Sequence, residues 1–158
     1  MNRSYKNFFS ILGTALFLIF LASFQVSFIN SSFLNLNLFL ILVLYLVLTK
    51  NNSKALFFAW IGGISTGFGY FSNFGINSLI LLILTAILII LYKTIFLTLK
   101  TESILLISMT GVVLYHFFNW LLTNGEFGLY FFNYKILVEL LLTALILLAI
   151  FKIKIQNA

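Results

Sequence analysis

A chain of 158 residues that is 63% hydrophobic and 8% charged has too little polar surface to cover itself in water, which excludes an ordinary soluble domain. In lipid the same composition is unexceptional, because helices satisfy their own backbone and side chains can be apolar on every face. The formal charge of +6 is spread as pairs between apolar runs rather than gathered on one face, which fits anionic lipid headgroups and argues against nucleic acid as a partner.

Six apolar runs follow one another along the chain. The first, Phe8 to Ile29, is preceded by Arg3 and Lys6. It is too long for the apolar core of a secretion signal, no Ala-x-Ala-like site follows it, and five more runs come after, so it reads as a retained helix. The turn Asn30-Ser31 leads to a second run, Ser32 to Thr49, and Asn51-Asn52-Ser53 to a third, Ala55 to Phe71. The segment Ser72-Asn73-Phe74-Gly75 joins it to a fourth, Ile76 to Tyr92. The fifth and sixth runs are Ser103 to Leu122 and Ile136 to Phe151, separated by the longest connection, Thr123 to Lys135. Several runs are close to the lower limit of roughly 17 residues for crossing a hydrocarbon core of about 30 Å. Turns this short make sequential helices antiparallel neighbours.

The basic residues set the direction of crossing. Arg3 and Lys6 precede the first run, Lys50 and Lys54 part the second from the third, Lys93 and Lys100 part the fourth from the fifth, and Lys152 and Lys154 follow the sixth. Only Lys135 lies in an odd gap. Cytoplasmic loops retain Lys and Arg, so this alternation predicts six crossings with both termini cytoplasmic. The expected fold is all-α: a polytopic membrane protein, 1–158 as one integral membrane domain, with six transmembrane helices in an up-and-down bundle.

The third run departs from the rest. Five of the nine glycines fall between Gly62 and Gly75, and Ala55, Ala59, Gly63 and Gly67 recur at four-residue spacing along one helix face. In lipid a stripe of small residues lets two backbones approach and gain dispersion contacts. Ala59, Gly63 and Gly67 are therefore expected to form a helix-packing or partner interface, with the third helix central in the bundle or facing a partner.

Ionisable groups inside a span are candidate functional groups by default. Glu139 is the one acidic residue within a run, and Lys135 four residues earlier offers it a helical ion pair. His116 stands beside Tyr115 and ahead of Phe117, Phe118, Asn119 and Trp120, and is expected to hydrogen-bond a neighbouring helix. Gln25, Asn35, Asn37, Asn73, Asn77 and Asn119 are expected to cap or link helices, and Trp120, Tyr130 and Tyr134 to form an interfacial belt on the outer side. The sequence has three Glu, no Asp and no Cys. Paired-carboxylate catalysis, a Ser/His/Asp triad, Mg-dependent phosphate chemistry and a thiolate metal site therefore have no residues to build them, and neither cofactor nor metal is expected. Gly67-x-Gly69 has no following Lys and lies in an apolar run, so it is not a phosphate loop.

In length, in its six runs with inside termini and in one local signature, the chain resembles MreD, the rod shape-determining membrane protein family of bacteria. That family carries Gly-x-x-x-Asp in its third span, a Leu-Gly or Phe-Gly pair eight residues beyond the Asp, and then an apolar fourth span. Gly63 matches the first position and Phe74-Gly75-Ile76-Asn77-Ser78-Leu79 the later part, while Gly67 stands where the family usually has Asp. The resemblance implies a non-enzymatic scaffold subunit of the cell-elongation and peptidoglycan-synthesis machinery in the bacterial cell membrane. Its partners would be membrane lipid, a single-span MreC-like protein and peptidoglycan-synthesising enzymes. The family fold is also similar to the substrate-binding subunits of energy-coupling-factor vitamin transporters. A vitamin-binding subunit is thus the alternative, with Asn73, Asn77, His116, Asn119 and Trp120 as its possible polar pocket.

Overall fold

The computed structural model describes residues 3–25, 36–67, 75–95, 101–123 and 134–156. Among these the protein is entirely helical: α1 Arg3–Phe24, α2 Leu38–Leu48, α3 Asn52–Gly67, α4 Ile76–Ile95, α5 Thr101–Thr123 and α6 Tyr134–Gln156. Each of the six apolar runs overlaps one of them. Three helices, over Ile76–Thr94, Thr101–Leu122 and Tyr134–Ile153, are long and apolar enough to cross a membrane.

From α2 onward, consecutive helices pack against each other. Between α2 and α3 the reversal takes three residues, because Lys50 adopts φ 59°, its N–H bonds Val47 O, and the Asn51 N–H bonds Leu46 O. These paired bonds satisfy the last carbonyls of α2 in the way a glycine-ended helix usually does, here with lysine in the left-handed position. The α2, α4 and α6 C-termini consequently share one end of the bundle with the start of α3. The same end carries exposed Lys50, Lys54, Lys93 and Lys152.

The second helix differs most from its expected form. The run Ser32 to Thr49 is apolar enough to read as one span, yet α2 begins at Leu38, and Leu36 and Asn37 are not helical. Asn37 is extended (φ −89°, ψ 99°) and its Oδ1 accepts the Leu40 N–H at 3.1 Å, the geometry of an N-cap. Eleven residues reach about 16 Å at 1.5 Å each, roughly half a hydrocarbon core. Composition could not locate that cap, since the apolar residues on both sides look alike.

Nor is α3 the most enclosed helix. That position belongs to α2, where Phe39, Leu40, Val43, Leu44, Val47 and Leu48 are fully buried, so most of its surface faces neighbouring helices. Meanwhile α3 leaves Leu56, Phe57 and Trp60 exposed and packs by its small-residue side. Ala55 and Ala59 have no exposed surface, and a methyl group added at Gly63 would overlap the N and Cα of Ser78 on α4. The Ser78 hydroxyl donates to Trp60 O at 3.0 Å across this crossing. Two further close approaches hold α2 in place: Gly62 lies under the Phe39 ring, and Gly111 of α5 lies under Leu44. Several other hydroxyls turn back on their own backbone, as Ser65 does to Ile61 O and Thr66 to Gly62 O, so these bring no unpaired group to the apolar surface.

Candidate functional site

The chemistry-bearing side chains converge at the start of α2. His116 lies seven residues before the end of α5 and Glu139 five residues after the start of α6. Because these helices are antiparallel, the two residues stand at the same level. His116 Nε2 is 2.7 Å from Glu139 Oε2, with both side chains buried. The other carboxylate oxygen, Oε1, accepts the backbone N–H of Asn37 at 3.3 Å. One carboxylate therefore ties α5 to α6 and receives the first free N–H ahead of α2, a helix end whose partial positive charge favours it. Tyr115 sets its ring edge-on to His116, with centroids 5.4 Å apart.

The bonds that hold this carboxylate inside the bundle come from α5 and from the residue that caps α2, an arrangement that the Lys135–Glu139 spacing on α6 does not contain. A buried carboxylate is tolerated only when its oxygens are taken up, and here an imidazole and a backbone amide do so. One turn further along α6, Thr143 is completely buried and its Oγ1 has no hydrogen-bond partner among the described residues; nor, among them, has the buried Gln25 Oε1 just beyond α1.

The remaining sequence candidates fall into two groups. Ala59 and Gly63 are interior, on the face of α3 that meets α4, whereas Gly67 closes α3 and its packing lies outside what is described. Of the possible polar pocket, Asn77 is half-buried in the first turn of α4, and Asn119 and Trp120 are half-buried one turn beyond His116. Trp120 packs its ring against Phe117 at 6.0 Å. Asn73 and Tyr130 lie outside the described residues. His116 is brought to Glu139, and Asn37 is the helix cap expected of such a residue. The His116–Glu139 pair is the feature that reading residue by residue misses. A signal for it exists: in an up-and-down bundle, a His near the end of one helix and a Glu near the start of the next occupy one level.

Among the described residues no group of three or more His, Cys, Asp or Glu side chains is placed to hold a metal ion. Comparison with protein-family models, with curated proteins and with solved structures finds no match to this chain.

Proposed function

We propose that the protein is a six-pass component of the bacterial cell membrane with both termini cytoplasmic. In this reading it serves as a non-catalytic scaffold subunit of the cell-elongation machinery, of the MreD kind. The observation that carries the reading is that the polar groups able to do chemistry are spent on internal structure. The histidine and the buried carboxylate of the helices bind each other, and the carboxylate's second oxygen holds the start of α2. That leaves helix surfaces as the means of action. The topology draws support from the gathering of Lys50, Lys54, Lys93 and Lys152 at one end of the bundle, as retention of basic residues on the cytoplasmic side requires. Its expected partners are a single-span MreC-like protein and, through it, peptidoglycan-synthesising enzymes.

Reporter fusions test the topology: those after Asn30, Asn73 and Gly125 should report outside, and those after Asn52 and Thr98 inside. Depletion in a rod-shaped host should round the cells, and the purified protein should capture an MreC-like partner. Nanomolar binding of a vitamin, or co-purification with an ATPase module, would replace the scaffold by the transporter subunit.

A further inference from the structure

The polar junction at the start of α2 closes on a definite count of donors and acceptors. A ring nitrogen 2.7 Å from a carboxylate oxygen needs a proton between them, and the Asn37 N–H is the second donor, so Glu139 uses one oxygen for each. The count holds whether the shared proton sits on His116 Nε2 or on Glu139 Oε2, because an acid O–H can donate to a bare ring nitrogen. One further proton breaks it. With His116 an imidazolium and Glu139 an acid, two N–H groups and an O–H meet around one carbonyl oxygen. The charged imidazolium keeps that acceptor, and the neutral amide of Asn37 loses its own.

An acceptor for the added O–H stands one turn along α6. Thr143 is completely buried, and among the described residues its Oγ1 has no partner, whereas the buried hydroxyls of Thr85 and Ser108 turn back to Leu81 O and Ile104 O. Residues four apart on a helix have Cβ atoms about 6 Å apart, and side chains lean towards the helix N-terminus, so Thr143 inclines to Glu139. The pair also lies nearer one end of the bundle. At 1.5 Å per residue Glu139 is about 8 Å from the start of α6 and about 20 Å from Lys152. Its titratable neighbours at this level are Tyr115 of α5 and Lys135 of α6. Those of α2 and α4, namely Tyr45, Tyr92 and Lys93, stand two turns or more along their helices.

We propose that the junction is a proton-binding site that latches the start of α2. A proton from the aqueous phase at the near end of the bundle adds to Glu139 Oε1 while His116 is an imidazolium. The bond from Asn37 N–H to Oε1 breaks, a bond from the new O–H to Thr143 Oγ1 forms, and the cap of α2 comes free of α6. The inference goes beyond the scaffold reading and requires only the helix packing described; failure to capture an MreC-like partner would leave it standing.

The test is amide hydrogen exchange of the full chain in detergent micelles, followed by NMR from about pH 8 to about pH 4 and corrected for intrinsic exchange. Protection of the Asn37 amide should fall about tenfold on acidification, while the buried Leu84 and Leu88 of α4 keep theirs. Glu139→Gln resembles the acid form and should open at a higher pH than wild type, since no carboxylate has to be neutralised. Thr143→Val removes the acceptor for the added O–H and should open at a lower pH. His116→Gln should stay closed throughout, because its side-chain amide can donate to a carboxylate and accept from an acid. Protection of Asn37 that is independent of pH overturns the proposal, as does a His116→Gln variant that opens like wild type. Loss of protection at Leu84 and Leu88 in step with Asn37 overturns it too, since the event would then be general unfolding. Should His116→Gln fail to fold, Glu139→Gln and Thr143→Val decide: opposite shifts support the latch, and shifts in one direction, or none, overturn it.

Discussion

Where α3 crosses α4, the contact is made by leaving atoms out: Gly63 has no side chain, and the backbone of Ser78 takes the space. Where α5 and α6 meet the start of α2, the contact is made by putting polar atoms in, as Glu139 accepts from His116 and from Asn37. The first contact is limited by volume and indifferent to charge. The second is limited by pairing and tolerates changes of volume better than the loss of a partner. Helices of near-uniform apolar composition need both, because dispersion brings backbones together without fixing their axial position, whereas a hydrogen bond between named atoms fixes it.

The largest effect is expected from breaking the polar contact on one side only. His116→Ala leaves the Glu139 carboxylate buried with a single amide donor and should destabilise the folded protein by about 3–5 kcal/mol. Replacing both residues by leucine should recover most of that loss, since two apolar side chains leave nothing unpaired. Denaturant titration in detergent, followed by circular dichroism, measures both. A wild-type midpoint for His116→Ala would mean that the junction carries no energy and that volume alone holds the bundle.

Next comes the steric contact. Gly63→Ala adds one methyl group into the Ser78 backbone, which cannot step aside as a side chain can, and should cost about 1–3 kcal/mol. Gly13→Ala in α1, where a methyl group meets nothing within 4 Å, is the control and should unfold no earlier than wild type. Equal behaviour of the two variants would sink the close-approach reading. A smaller, local loss is expected at the cap: Asn37→Ala removes the acceptor for Leu40 N–H but keeps the backbone N–H that Glu139 binds. That should cost about 1 kcal/mol. Amide exchange at Leu40 should quicken, while His116→Ala should also release Asn37; if Asn37→Ala releases both amides equally, cap and carboxylate act as one unit.

How much of this was legible beforehand differs between the two contacts. The stripe Ala55, Ala59, Gly63 is visible in sequence because small residues at four-residue spacing share a face whatever surrounds them. Its consequence for the bundle was less visible, since nothing in the stripe says that the enclosed helix is the one before it. The polar junction needs three elements at once, and only the helix order makes His116 and Glu139 level. The cap at Asn37 was harder still. Asn35 and Asn37 both lie in an unbroken apolar run, and what selects Asn37 is a carboxylate 102 residues later that takes its backbone N–H. Boundaries set by tertiary contacts of this kind leave no periodic trace in the local sequence.

The smallest expected effect separates the two mechanisms at a single place. Ser78 takes part in both, because its backbone fills the space at Gly63 and its hydroxyl donates to Trp60 O. Ser78→Ala removes only the hydroxyl, and interhelical hydrogen bonds of this type contribute about 0.6 kcal/mol on average in membrane bundles, so its midpoint should move little. The double variant Gly63→Ala with Ser78→Ala should then show the sum of the single effects to within about 0.5 kcal/mol, since the overlap lies with the Ser78 N and Cα, which alanine retains. Rescue of Gly63→Ala by Ser78→Ala would place the obstruction at the hydroxyl. The α3–α4 crossing would then be a second polar contact, and the contrast with the His116–Glu139 junction would collapse.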